Sequence, residues 1–346
     1  MKKYLLPENG NFYKANLHCH STISDGKWTV EEIKKNYMAE GYSIVAYTDH
    51  HIFVPHNDLT DDSFLALNGY EINFDEKLEK DIDPKAAGRI KKTCHLCLIA
   101  TDKDRKVQKI VYKNRYSEEK ADLFRIEEGC EVRKMEYSPE AICATIKEAK
   151  DDGFYITYNH PVWSLESKDE YCNYHGMNAM EMVNYGSICV GLDEHNGVAY
   201  DEMLRGGERI FCVATDDNHD SHPLGTPKND SFGGFTVIKA DALNYESIID
   251  ALFKGNFYAS EAPEIRELWF EDGKVNITTS DVRSIFLSTG TRRSKAEFAE
   301  KGGSITKASF ELQPSDKYFR ITVCDKEGKE AYTNAYFIDQ LPFDAE

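Results

Sequence analysis

The chain has 346 residues, enough for a large domain with a smaller companion, and its 41% hydrophobic and 29% charged side chains suit a folded protein. A formal net charge of −18, from 42 basic against 60 acidic side chains, argues against a surface that displaces counterions from duplex nucleic acid, and no Lys/Arg-dense run offsets it. The first ten residues lack an apolar stretch suited to secretion and no later run approaches a membrane span, so no membrane contact and a cytoplasmic location are expected. Nine cysteines, an odd number, fit free thiols in a reducing compartment.

In chain order, residues 13–18 read as a strand, and Thr29-Val30-Glu31-Glu32 is a capping box that opens a helix ending near Gly41. Residues 43–47 form the next strand, running into Thr48-Asp49-His50. Strands follow at 68–74 and 93–100. The second contains Cys94-His95-Leu96-Cys97, which has no partner pair to complete a zinc knuckle. Stretches 75–92 and 101–136 are highly charged with few periodic apolar positions, and read as solvated insertions or as a lid. Ser138-Pro139 opens a helix that Gly153 ends, and strand 154–158 runs into Asn159-His160-Pro161. After a strand at 179–184, a helix around 199–204 ends at Gly206-Gly207. Strand 209–214 leads into Thr215-Asp216-Asp217-Asn218-His219, and strands at 235–238 and 257–259 flank a helix closed by Gly255.

Three times a helix and a glycine precede a strand that ends in His and Asp. Such β/α units, with polar residues at the carboxyl ends of strands, imply a barrel-like parallel sheet with its site on that face. Beyond residue 264 the pattern becomes all-β, with alternating strands at 275–279, 285–288, 308–312, 319–323 and 331–338. A small β-sandwich is expected over 263–346. It contains no histidine, so the site is expected within 1–262.

The candidate ligands are His18, His20, Asp25, His50, Glu71, His95, His160, Asp217 and His219, which include six of the eleven histidines. Nine donors exceed one tetrahedral ion, and imidazole with carboxylate suits zinc, manganese or iron without choosing among them. His51, His56, His175, His195 and His222 match no such position and read as surface or loop residues. His222 and Lys228 lie close enough after the last ligands to be weak candidates for contact with substrate. Cys19, between two ligands, is expected to point into the barrel core.

His18-x-His20, Ser24-Asp25-Gly26, Thr48-Asp49-His50, Gly69-Tyr70-Glu71, His95, His160-Pro161 and Asp217-x-His219 resemble, in order, the motifs of the PHP (polymerase and histidinol phosphatase) superfamily across residues 11 to 262. The resemblance implies an α/β fold, a distorted (β/α)7 TIM-like barrel, holding three divalent metal ions. It places His18, His20, Glu71 and Asp217 at the first, has Glu71 bridge to a second held by His95 and His160, and puts Asp25, His50 and His219 at the third. Asp49 and Asp216 would orient imidazoles from behind. Relatives commonly carry a small residue where Asp216 stands, so the ligand is Asp217 or, with a one-residue slip, Asp216; the D-x-H spacing favours Asp217. The implied activity is hydrolysis of a small phosphorylated metabolite or nucleotide by a metal-bridging hydroxide, with no side-chain nucleophile. Two rivals stand beside it: an amide or carboxylic-ester hydrolase on the same centre, and a metal-sensing or glycan- or protein-binding module. Cationic side chains facing the metals would favour phosphate over the first.

Overall fold

The structure is a computed structural model that describes residues 2–79, 85–86 and 88–343. Part of the charged stretch 75–92, namely 80–84 and 87, therefore lies outside the described residues.

Strands β1 (Lys3–Tyr4) and β2 (Asn11–Asn16) precede helix α1 (Val30–Ala39). The helix opens on the expected box: Thr29 caps the Glu32 amide and Glu32 accepts from the Thr29 amide at 2.9 Å. Strand β3 (Ile44–Tyr47) is followed by β4 (Leu65–Lys77) and β5 (Ile90–Ala100), a long hairpin whose register sets Glu71 opposite Cys97 and Asn73 opposite His95. Next come α2 (Arg115–Glu119), α3 (Pro139–Asp151), β6 (Phe154–Asn159), α4 (Lys168–Tyr171), β7 (Ala179–Asn184), α5 (Tyr185–Cys189), α6 (Gly197–Gly206) and β8 (Phe211–Thr215). Strand β9 (Phe235–Ala240), α7 (Tyr245–Lys254) and β10 (Phe257–Ser260) complete the first part. The remainder is β11 (Ile265–Glu271), β12 (Lys274–Val282), β13 (Ser284–Thr289), β14 (Ser294–Phe298), β15 (Ile305–Glu311), β16 (Tyr318–Cys324), β17 (Glu330–Thr333) and β18 (Tyr336–Phe337).

The large sheet has the order β14-β13-β16-β17-β10-β9-β2-β3-β4-β5-β6-β7-β8, with β18 beside β16. A second sheet has the order β1-β11-β12-β15. Strands β2, β3 and β4 pair in parallel, as do β6, β7 and β8, but β4–β5, β5–β6 and β2–β9 are antiparallel. The parallel sheet expected from the β/α rhythm is therefore mixed. For β4 and β5 the cause is direct: a hairpin joins them without the crossover that a parallel pair needs.

The last strands of the run are tied by a side chain. The Thr236 hydroxyl donates to the Ala214 carbonyl at 3.0 Å and accepts from its amide at 3.2 Å, linking β9 to β8. Only glycine fits at 234, since a Cβ there would sit 2.4 Å from the Thr215 carbonyl oxygen. One apolar cluster takes Ala15, Ala46, Leu67, Ile99, Tyr155, Ala179, Val213 and Ile238, one side chain from each of β2 to β9, and α7 closes it with Ile248 and Leu252.

A second core lies between the two sheets, with Leu268, Phe270 and Ile277 facing Ile285, Phe319 and Ile321, and Leu5 and Leu6 joining it. The large sheet passes from β10 into β17 through the pair Tyr258 and Thr333, so strands on either side of residue 262 are hydrogen-bonded to each other. The strand expected over 331–338 is split at Asn334, whose side chain accepts from the Cys212 amide and donates to the Gly255 and Phe257 carbonyls. Stretch 101–136 buries Ile110, Val111 and Phe124, so it is packed rather than freely solvated. Among the described residues no helix is long and apolar enough to cross a membrane.

Candidate metal centre

Past the end of β2 the backbone stays extended through a bridge between Cys19 and Asn218. Side-chain alternation sends His18 and His20 one way and Cys19 the other. Cys19 consequently packs with Ile33, Tyr37 and Val45 beneath α1, not inside the strand-enclosed cluster as expected. The Nε2 atoms of His18 and His20 lie 3.1 Å apart and stand 3.1 and 3.0 Å from Asp217 Oδ1.

Glu71, in the middle of β4, is the hub. Its Oε1 lies 2.9 Å from His95 Nδ1, 3.2 Å from His18 Nε2 and 3.4 Å from His160 Nε2, while its Oε2 lies 2.9 Å from His50 Nδ1 and 3.6 Å from His20 Nε2. Asp25 Oδ1 stands 3.7 Å from His50 Nε2 and 3.5 Å from His219 Nε2. All nine sequence-derived ligands thus meet in one cluster, in which four groups have donor atoms spaced to share an ion. Cys97 Sγ belongs to one of them, with His18 and Glu71, although its C-x-x-C was set aside in the sequence for want of a second pair.

The donor set fits cations. Asp25 Oδ1 and Asp217 Oδ1 are buried without a hydrogen-bond donor, a costly state that a bound ion relieves. Burial alone would raise the Glu71 carboxyl, but the His95, His18 and His50 imidazoles hold it well below the usual carboxylate range. Despite burial, Glu71, Asp217 and Glu181 push His160 up to about 9. Burial, with His50 and His219 alongside, pushes His20 down to about 4.

Asp217 adopts the left-handed φ of 52° and faces the cluster, while Asp216 turns away. Asp216 accepts from the amides of Phe232, Gly233 and Gly234 and from the Tyr37 hydroxyl, fixing the turn into β9. Asp49 accepts from the Ser21 and Ser24 amides and hydroxyls, holding the turn that carries Asp25. Neither orients an imidazole, contrary to expectation; both bind loop backbone because their side chains point to the outer side of the strand ends. The carboxylate that does orient one is Glu181, which the sequence reading overlooked. It is fully buried on β7, and one oxygen lies 2.7 Å from His18 Nδ1 and accepts from Thr215, while the other accepts from the His160 amide and the Asn184 side chain. Asn159 and Asn184, also overlooked, donate to Glu71 at 2.9 Å and Asp217 at 3.1 Å.

Seven of the nine candidate ligands, all but His18 and His20, line a cavity of about 1070 Å³. Lys77, Lys113, Arg115, Lys134 and Lys228 line it together with His222, so both weak substrate candidates border the site, at exposed positions. Trp163 forms part of the wall, edge-on to His95 and His160, its amide held by the buried Glu194. His175 and His195 are exposed as expected, but His51 and His56 are buried, because the chain after His50 turns inward to meet stretch 101–136.

No family model and no curated protein matches the chain. Solved structures do. A two-domain protein from Bacteroides vulgatus ATCC 8482, described as containing a predicted PHP-like metal-dependent phosphoesterase, is 14% identical, with 96% of this chain and 98% of that one covered and a TM-score of 0.44. A candidate metal-dependent phosphoesterase from Bifidobacterium adolescentis is 15% identical, covering 65% and 93%, with a TM-score of 0.35. An amidohydrolase from Chromobacterium violaceum, solved with bound sulfate and no metal, is 17% identical over 59% and 87%, also at 0.35.

Proposed function

We propose that the chain is a metal-dependent phosphoesterase of PHP type, acting on a small phosphorylated compound at the cluster around Glu71. The observation that carries this reading is the convergence of His18, His20, Asp25, His50, Glu71, His95, His160, Asp217 and His219 in one cluster, all but His18 and His20 of which line one cavity. In this reading His18, His20, Glu71 and Asp217 hold one divalent ion, Glu71 with His95 and His160 a second, and Asp25, His50 and His219 a third. Zinc, manganese and iron all suit such donors. Bound there, divalent ions would supply acidification of a water and charge stabilisation for phosphoryl oxygens.

The chain's own residues do the rest. Glu181 fixes the His18 tautomer by accepting a hydrogen bond from Nδ1–H, leaving Nε2 unprotonated toward the ions. Asn159 and Asn184 anchor one oxygen each of Glu71 and Asp217. Cations from separate segments, among them Lys113, Arg115, Lys134 and Lys228, face the same cavity, on a chain whose overall charge is −18. Five carboxylates line the cavity as well, but Asp25, Glu71 and Asp217 are assigned to the ions, and the cations that remain favour an anionic substrate and phosphate over a neutral amide or ester. The distorted barrel is supported by the cluster drawn from each of β2 to β9 and by the Thr236 link, and we assign 1–262 as the hydrolase part with 263–346 as its β companion, onto which β1, Leu5 and Leu6 pack.

A panel of phosphomonoesters, phosphodiesters and carboxylic esters, assayed with metal-replete protein and with inorganic phosphate as inhibitor, tests the substrate class. Hydrolysis confined to phosphate esters, with competitive inhibition by phosphate, is expected. Cleavage of carboxylic esters alone, without inhibition by phosphate, would replace this reading by the amide or ester one.

A further inference from the structure

Asp25 differs from the other carboxylates of the centre in what holds it. Its Oδ2 accepts from the Tyr116 hydroxyl at 2.6 Å, and the Arg115 guanidinium stands 3.5 Å from the same oxygen. Its Oδ1 has no hydrogen bond and points toward His50 and His219. The Tyr116 ring also lies nearly parallel to His50, with centroids 5.5 Å apart and planes 21° from each other. One side chain outside every ligand motif therefore touches two of the four groups, His20, Asp25, His50 and His219, whose donor atoms lie close enough to share an ion at this end of the cluster.

Tyr116 is held firmly. Asn114 caps the short helix α2, its Oδ1 accepting from the Tyr116 amide at 2.8 Å and the Ser117 amide at 3.0 Å. The Arg115 guanidinium lies over the ring at 4.4 Å from its centroid. The stretch itself is fastened to the chain just after His50. Buried Gln108 donates to the His51 and Ile110 carbonyls, both at 2.9 Å, and accepts from the Phe53 amide at 3.0 Å. Ile52, Val111 and Phe124 pack together beside it.

A carboxylate with both oxygens free rotates about its terminal bond and is a poor guide for an ion. A hydroxyl fixed on one oxygen stops that rotation and aims the other. We propose that Tyr116 is a positioning residue for the metal site of Asp25, His50 and His219, so that the charged stretch 101–136 completes this site instead of merely covering it. The inference rests on the metal-centre reading above.

The test is a Mn²⁺ titration of chelator-stripped, full-length protein, with bound ions counted by elemental analysis, for wild type, Tyr116→Phe and Asp25→Ala. The phenylalanine keeps the ring against His50 and removes only the hydroxyl. Wild type should take up more than one ion. In Tyr116→Phe, one ion should bind roughly 10- to 100-fold more weakly while the others are unchanged, and Asp25→Ala should lose that same ion. If Tyr116→Phe binds every ion as wild type does, or weakens all of them alike, the positioning role is wrong although the metal centre stands. If wild type binds one ion or fewer, the metal centre falls and this inference with it.

Discussion

Glu181 shows how a residue without a motif can govern those that have one. Its two oxygens serve His18, Thr215, Asn184 and the His160 amide, so two histidines of the cluster, one by its ring and one by its backbone, are held by one buried carboxylate. Glu181→Gln keeps the volume but puts an amide group where an acceptor is needed. Metal affinity should fall roughly 10- to 100-fold, measured by competition with a chelator; unchanged affinity would show that His18 needs no such support. Eight of the nine candidate ligands were legible because each stands in a short pattern of fixed spacing, and His95 from its place in the order of those patterns. Glu181 was not, since its only sign is a lone charge within the apolar run Met180-Glu181-Met182. Asp49 and Asp216 misled for a related reason: adjacency to a ligand in sequence sends a strand residue to the opposite side.

At the scale of elements, the strands that carry the site, Glu71 and His95 from within β4 and β5 and the rest at or past strand ends, were readable from alternation and from the capping and glycine signals around them. The pairing of β4 with β5 was not, because nothing in the sequence marks two apolar strands across a charged stretch as a hairpin. β14 was missed too: all five of its residues are exposed, so it has no apolar alternation to read. The loop after His160 brings Glu166 back against Tyr137, Tyr158 and Tyr174, whose hydroxyls donate to it at 2.7, 2.6 and 2.5 Å. Burial, only partly offset by those donors, pushes this carboxyl up to about 7 from an ordinary 4.5. A raised folded value favours the protonated folded form. The contribution is complete below pH 4.5 and is lost as pH rises through about 7. Glu166→Gln should therefore flatten the decline in stability between pH 5 and pH 8, by about 1–3 kcal/mol in urea unfolding. Parallel declines in wild type and variant would contradict it.

Across the whole molecule, composition predicted the character of the chain but not how its parts join. The all-β change after residue 264 is visible in sequence, yet the first residues, through β1, Leu5 and Leu6, belong to that second core. A two-residue strand and a pair of leucines carry no signal of where they pack. The negative charge likewise hides its own exception, since the cations lining the cavity come from segments far apart in sequence. Hydrolysis of a phosphate ester at this cluster should depend on ions held around Glu71. That dependence is tested most directly by following one phosphate ester with a single protein preparation before chelation, after chelation and after Mn²⁺ or Zn²⁺ is returned. Activity should vanish on chelation and come back with the metal in wild type, but not in Glu71→Ala, which removes the shared ligand. Turnover that survives complete removal of metal, or that Glu71→Ala retains in full, would show that hydrolysis needs no ion at Glu71.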